Sequence, residues 1–311
     1  MKHFLSVADY SSEEIWRLLH LARDLKAEWQ AGGNEPLLKG KVLGMIFQKP
    51  SLRTRVSFEV GMQHLGGTAL YLSPNEIQLG KRESVADVAR VLSRYVQGIM
   101  ARVFSHRDVE QLAAHGSVPV INGLSDYSHP CQAMGDILTA WEKLGDLRGR
   151  KLVFVGDGNN VANSLLFVCA RVGMDVAVAS PAGYEPHPGV VTLAQRMAAE
   201  TGSQIEIGND PAALVRDADV IYTDVWASMG QEAEAELRKA RFAGFQVNES
   251  LVSLARPEAI VMHCLPAHRG EEITDGVADG PNSALFDEAE NRLHAQKAIL
   301  VALMAPQRAG F

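Results

Sequence analysis

The side chains between residues 51 and 55 have the chemistry of an anion site. Ser51, Arg53, Thr54 and Arg55 stand just after the apolar run "VLGMIF" (Val42 to Phe47), where a strand should turn into a helix. Neutral polar residues usually fill such a corner. Here two guanidiniums and two hydroxyls gather instead. A helix opening near Arg53 adds backbone N–H groups and a positive dipole end. Arginine forks match phosphate oxygens in bidentate fashion, so the natural ligand is a phosphate. The competing reading leaves these arginines solvated or paired with acids such as Glu59.

Other strand ends carry chemistry too. Arg102 closes "GIMAR", and "SDYSHPCQ", with His129, Pro130, Cys131 and Gln132, follows "VPVIN". Arg53, Arg55, Arg102 and His129 can converge with the hydroxyls of Ser51 and Thr54. In the second half, "GDGNN" follows "KLVFV", "DVWASMG" follows "VIYT", and "HCLPAHRG" follows "AIVM". Asn160, Asp224 and Ser228 suit a zwitterionic amino acid, with the acid facing an ammonium and the amide a carboxylate. "GDGNNV" invites a dinucleotide reading. However, Val161 replaces the third glycine, and the next strand ends in Ser180 where an acid for the ribose is expected. A metal at His263 and Cys264 is conceivable, but no second C-x-x-C or H-x-x-H occurs in the chain.

These clusters need a scaffold. Apolar runs of strand length alternate with amphipathic stretches of helix length in both halves. "SSEEIWRLLHLARDLKAEW" opens with a capping box, Ser11 and Glu14. The helix after Arg53 stops at Gly66 and Gly67. The alternation predicts an α/β protein of two domains, each a mostly parallel sheet flanked by helices. "GDLRGR" (145–150) reads as the junction. The first domain is expected over 1–144, joined by the closing helix at about 290–311, and the second over 145–289. Ligands of open parallel sheets bind beyond the strands' carboxyl ends. The expected active site is therefore a cleft between the two domains.

Composition narrows the function. The net charge of −7 argues against a general nucleic-acid binder, which needs a broad basic face. No apolar run approaches the roughly 20 residues that cross a membrane. The first residues lack a signal peptide's apolar core, and three scattered cysteines make a disulfide framework improbable. Both features fit a reducing cytoplasm.

"SLRTRVSFE", "HPCQAMGDILT", "FVGDGNNVANSL", "DVWASMG" and "MHCLPAHRGEEI" resemble the signature segments of the ornithine carbamoyltransferases, in the expected order and across essentially the whole chain. S-x-R-T-R and H-P-x-Q are shared with the aspartate carbamoyltransferases; "DVWxSMG" and "HCLP" favour the ornithine family. The resemblance implies a carbamoyl-phosphate-binding first domain and an ornithine-binding second domain. It implies that Ser51, Leu52, Arg53 and Thr54 hold the phosphate of carbamoyl phosphate. Arg102 would bridge phosphate and carbamoyl oxygen, His129 would contact that oxygen, and Gln132 the amide, with Pro130 and Cys131 beside them. Gln78 belongs to a segment that in the family lies near a neighbouring subunit's site. Arg292 would reach carbamoyl phosphate from the last helix. Asn160, Asp224, Ser228 and Met229 would bind the α-groups of L-ornithine, and Cys264 and Leu265 would face its δ-amine and the carbamoyl group. Catalysis would centre on Cys264, Arg102 and His129. A homotrimer or a multiple of trimers is implied, with no metal and no cofactor. Leu52 departs from the commoner family form, which has Thr, and leaves the phosphate cradle there to backbone N–H groups. A related acceptor such as putrescine or acetylornithine, a nicotinamide dehydrogenase and a non-catalytic sensor of the same ligands stay as rivals.

Overall fold

The structure is a computed structural model that describes residues 1–227 and 234–309. Ser228 and Met229 lie outside the described residues. The chain divides into two compact units, Met1–Leu138 with Asn291–Phe311, and Thr139–Glu290.

The first unit is built on β1 (Val42–Phe47), β2 (Thr68–Leu72), β3 (Gly98–Arg102) and β4 (Val120–Leu124). All pairs are parallel, in the order β2-β1-β3-β4. β1, β3 and β4 are buried almost throughout, as helices on both faces require, whereas the edge strand β2 stays partly exposed. One face of the sheet packs Ile46, Ile99 and Val120 against Val88, Val109 and Leu112 of two helices. β4 runs two residues beyond the expected "VPVIN", to Leu124, and a register shift between Ala101 and Arg102 accommodates it.

The helix Leu52–His64 follows β1. Ser51, in extended backbone, caps it by accepting Thr54 N–H on Oγ at 3.3 Å. Such a cap is worth about 1 kcal/mol. The helix ends as expected, with Gly66 at φ +77°. A Cβ on Gly67 would stand 2.5 Å from Met62 Cε and 3.1 Å from the Leu38 carbonyl, so the close turn needs glycine. Gly61 lets the closing helix, Leu285–Met304, pack onto this helix near Lys297 and Leu300.

The second unit holds β5 (Lys151–Val155), β6 (Asp175–Ala179), β7 (Ile205–Gly208), β8 (Val220–Thr223) and β9 (Ile260–His263). They are parallel, in the order β7-β6-β5-β8-β9. Val153, Val155, Ile221 and Val261 anchor a core with Trp226, Phe242 and Val247.

Strand order reverses between β1 and β3 in the first unit and between β5 and β8 in the second. Loops leaving the two strands at a reversal diverge to opposite faces, which opens a crevice at their carboxyl ends. The sequence clusters 51–54 and Arg102 flank the first reversal; 156–160 and Asp224 flank the second. Among the described residues no helix is long and apolar enough to cross a membrane.

Candidate active site

In the first unit the cationic cluster forms around one hydroxyl. Thr54 Oγ1, fully buried, accepts from Arg102 Nη1 at 3.4 Å and from Arg292 Nη2 at 3.2 Å. Arg292 Nη1 donates to Gln132 Oε1 at 2.7 Å, and Gln132 Nε2 donates to Asp136 Oδ1 at 2.8 Å. Arg102 comes from the end of β3, Gln132 and Asp136 from the helix Pro130–Leu144, and Arg292 from the closing helix. Thr54, Arg102, Gln132 and Arg292 are thus brought together as expected.

Arg55 is not part of this group. Its Nε lies 3.1 Å from Glu59 Oε1, one helical turn on, and its guanidinium sits 4.1 Å over the Tyr71 ring. The bland reading of the S-x-R-T-R arginines therefore holds for Arg55. Leu52, at the first turn, is 73% exposed, and its backbone is among the N–H groups at the helix start.

His129 is presented by a buried turn. Asn122 Nδ2 donates to the Leu5 carbonyl (3.0 Å), Ser125 Oγ (3.2 Å) and the Ser128 carbonyl (3.3 Å). Cys131 Sγ donates to the Asn122 carbonyl at 3.4 Å. Burial pushes the Cys131 thiol up to about 12, so it stays protonated and acts as packing. His129 is held well below the usual imidazole range by burial first, then by Arg292, Arg102 and Arg53. It is neutral at pH 7 and offers one N–H without adding a further charge. Gln78 is exposed, in left-handed backbone at φ 44°, and its side chain bonds within its own loop, to the Asn75 carbonyl at 3.5 Å.

In the second unit the centre is Asp224, at the end of β8. Its Oδ1 accepts from Cys264 Sγ at 3.0 Å and from Val225 N–H at 2.8 Å, and its Oδ2 accepts from Asn159 Nδ2 at 2.9 Å. Asn159 was not singled out from sequence, where Asn160 was named. Asn159 is the N-cap of the helix Asn160–Val172, its Oδ1 accepting Val161 and Ala162 N–H. Its other end is thereby aimed at Asp224. The signal available was the cap rule itself, which places a side-chain acceptor one residue before the helix.

The second glycine of "GDGNN" has a packing reason. A Cβ on Gly158 would stand 2.2 Å from Pro186 N. Val161, where a dinucleotide fingerprint has its third glycine, is buried in the core. Asp157 beside it pairs with Arg238 at 2.9 Å, both nearly buried. Desolvation raises Asp157 to about 6 against the pull of Arg238, with Asp224 and Glu234 adding to the rise. Arg238 Nη1 also donates to the Trp226 carbonyl at 2.9 Å. It therefore ties the loop after β5 to the segment after β8.

The "HCLP" segment is held from behind. His263 Nδ1 accepts Leu265 N–H at 2.8 Å, so the ring proton lies on Nε2, which donates to Glu272 Oε1 at 3.0 Å. His263 N–H donates to Glu288 Oε2, whose other oxygen takes Tyr222 OH. Leu265 adopts φ 56°, a region a leucine rarely enters, and the Leu265–Pro266 peptide is cis. The bond to His263 keeps the backbone in that turn and leaves Cys264 Sγ on Asp224. Ligand-capable atoms of Asp224, His263 and Cys264 lie within 4.8 Å of one another. Both His263 nitrogens and the Cys264 sulfur are already engaged with protein partners.

Residues 2–142 match the family model of the aspartate/ornithine carbamoyltransferase carbamoyl-P binding domain, and residues 148–303 match that of the Asp/Orn binding domain. The ornithine carbamoyltransferase of Pyrococcus abyssi is 59% identical over 310 residues, covering 100% of this chain and 98% of the relative. That of Anoxybacillus flavithermus is 58% identical, covering 97% and 96%. The solved ornithine carbamoyltransferase of Pyrococcus furiosus superposes with a TM-score of 0.95 at 59% identity, over 98% of this chain and 97% of that one. The anabolic ornithine carbamoyltransferase of Campylobacter jejuni gives a TM-score of 0.93 at 40% identity, over 99% and 100%. On both its halves and along its full length, the chain belongs to the aspartate/ornithine carbamoyltransferase family.

Proposed function

We propose that the chain transfers the carbamoyl group of carbamoyl phosphate to the δ-amine of L-ornithine, giving L-citrulline and phosphate. The observation that carries this reading is the shared Thr54 hydroxyl. It gathers Arg102 and Arg292 at the N-terminus of the Ser51-capped helix, where a phosphorylated anion finds guanidinium donors and backbone N–H groups. The names of its full-length relatives support ornithine over other acceptors.

In this reading the phosphate lies on the N–H groups of Ser51, Leu52, Arg53 and Thr54 and on the guanidiniums of Arg53, Arg102 and Arg292. Neutral His129 and Arg102 donate to the carbamoyl oxygen. Gln132, Pro130, Cys131, Cys264 and Leu265 line the carbamoyl end, Cys131 through its backbone. Ornithine's α-groups take Asn160, Asp224, Ser228 and Met229. Gln78 serves a neighbouring copy.

An alkyl ammonium titrates near 10.4, so the δ-amine must shed a proton before attack. Cys264 Sγ donates to Asp224 Oδ1 at 3.0 Å, and this pair orients the amine and receives the proton it sheds. As the C–N bond forms, negative charge grows on the carbamoyl oxygen. His129 and Arg102 stabilise it in the manner of an oxyanion hole, where one donor is worth on the order of 3 kcal/mol of barrier. The C–O bond to phosphate then breaks. The proton left on the attacking nitrogen departs with the phosphate, whose charge the arginines neutralise.

Self-association as a trimer, or a multiple of trimers, is part of this reading. Leu52, Val56 and Leu70 leave an apolar surface on the first unit beside the open edge of β2. The direction toward citrulline follows relatives named anabolic. The free cysteines fit a reducing cytoplasm.

The test is a carbamoylation assay with carbamoyl phosphate and a panel of ornithine, putrescine, acetylornithine and aspartate. Citrulline from ornithine at a rate at least ~100-fold above the other amines supports the proposal. Equal or faster use of another amine, or binding of both ligands without citrulline, overturns it.

A further inference from the structure

His106 is half-buried, and neither the anion cluster nor the mechanism above uses it. It opens the helix His106–His115 and faces the turn that leads into His129. Two bonds join helix and turn. His106 N–H donates to Asp126 Oδ1 at 2.8 Å, in place of a cap bond from Ser105, the N-cap, whose side chain makes none. The ring Nδ1 of His106 stands 2.8 Å from Ser125 Oγ. The backbone bond does not depend on the ring, so the helix stays tied to the turn whatever side chain stands at 106.

The bonds of Ser125 set the direction of the ring contact. Ser125 is fully buried, and its Oγ accepts from Asn122 Nδ2 at 3.2 Å and from Ser128 N–H at 3.3 Å. A hydroxyl has two lone pairs and one proton. Both lone pairs are engaged, so the proton is what Ser125 gives. The Ser128 carbonyl lies 3.3 Å away and already accepts Ser125 N–H at 2.9 Å and Asn122 Nδ2 at 3.3 Å. His106 Nδ1 is closer and lies at the usual hydroxyl distance. Ser125 O–H therefore donates to Nδ1, and the ring carries its own proton on Nε2. Helix, turn and the Asn122 amide all meet on this one hydroxyl, and His129 follows the turn 125–128 directly.

We propose that His106 is a positioning residue: as acceptor of the Ser125 hydroxyl it holds the turn 125–128 in the form that presents His129 to the carbamoyl oxygen. The inference rests on the proposed placement of carbamoyl phosphate at His129. It also makes the turn sensitive to acid. A protonated ring donates from Nδ1, and Ser125 Oγ must then release Asn122 or Ser128 to accept it. Burial lowers the pKa of His106 against the pull of three acids, Glu110 on its own helix, Asp126 on the turn and Asp9 near the N-terminus. The ring is therefore neutral at about pH 7 and the bond to Ser125 is in place.

The experiment measures carbamoylation of ornithine by the full chain as wild type, His106→Phe and His106→Asn, from about pH 5 to 8, with calorimetric titration of inorganic phosphate alongside. Phe keeps a ring beside Tyr127, whose centroid lies 5.0 Å from that of His106, and offers no acceptor. Asn carries an acceptor oxygen near the place of Nδ1 and does not titrate. Near neutral pH, His106→Phe should lower kcat about tenfold, the cost of a slightly misplaced donor, and keep inorganic phosphate affinity within about twofold of wild type. His106→Asn should recover kcat to within about threefold of wild type. The ratio of wild-type kcat to that of His106→Asn should fall from about pH 7 to 5, because only the wild-type ring gains a proton. Full kcat in His106→Phe, equal losses in the two variants, or a ratio that is flat with pH overturns the proposal. Should His106→Phe fail to fold, the pH dependence of that ratio decides. A wild type that makes no citrulline overturns the functional reading, and this proposal with it.

Discussion

Arg292 and Gln132, 160 positions apart in sequence, meet at 2.7 Å, and the closing helix contributes one and the helix after His129 the other. The first unit's anion cluster is therefore completed by the closing helix, Leu285–Met304. Thr54, Arg102 and Gln132 are all oriented by groups that Arg292 touches or faces.

Arg292→Met should lower carbamoyl phosphate affinity about 100-fold, near 2.7 kcal/mol, since it strips a charge-assisted donor from the anion cluster. Arg53→Ala should act in the same direction. Arg55→Ala should change affinity less than about threefold, because its partners are Glu59 and Tyr71 and the pair is exposed. Calorimetry on the three variants checks the ranking.

Cys264→Ala should lower kcat by about 100-fold and leave carbamoyl phosphate affinity near wild type. The thiol belongs to the Asp224 cluster of the second unit. Wild-type turnover in that variant removes the thiol from the mechanism.

Ornithine binding should weaken on the acid side. Asp157 takes up a proton as pH falls through about 6, and its ion pair with Arg238 is then lost. Arg238 also holds the Trp226 carbonyl, two residues after Asp224. The KM for ornithine should rise roughly threefold to tenfold between about pH 7 and 5.5 in the wild type. In Asp157→Asn it should be flat over that range and already raised. A profile in that variant identical to wild type would exclude this pair.

Lys297 sits fully buried in the closing helix, donating to the Leu25 carbonyl at 3.2 Å and to Asn34 Oδ1 at 2.7 Å. Burial lowers it from 10.5 to about 8. In the unfolded chain it keeps its proton up to about 10.4. Between these values the unfolded state binds more protons, so stability rises with pH; below 8 the full cost of the buried charge is present. Urea unfolding of the wild type against Lys297→Met should therefore show the wild type gaining on the variant from about pH 8 to 10. A difference that is constant with pH would contradict the assignment.

Much of this could be read from the chain, for local reasons. The α/β alternation, the Ser51 cap and the polar strand ends depend on neighbours within a few residues. Whether Arg53 or Arg55 belonged to the anion cluster depended on Tyr71 of the neighbouring strand, although Glu59 at the next turn was in plain view. Asn160 is the first residue of its helix, and it is the N-cap before it, Asn159, that faces Asp224. Arg292 could be named only through the family resemblance, since no local pattern marks it. Asp136 and Gln132 were visible as an i, i+4 pair, yet the guanidinium on the other end of the amide is remote in sequence. The His263–Glu272 support was equally hidden, because it joins a strand end to a loop that the sequence marks only as polar.

The most direct measurement is a crystal structure of the chain with carbamoyl phosphate bound. The account predicts the phosphate within about 3 Å of the N–H groups at Ser51–Thr54 and of the Arg53 and Arg102 guanidiniums, with the carbamoyl end toward His129 and Gln132. Phosphate density at the start of the helix Asn160–Val172, on the "GDGNN" loop, would contradict it.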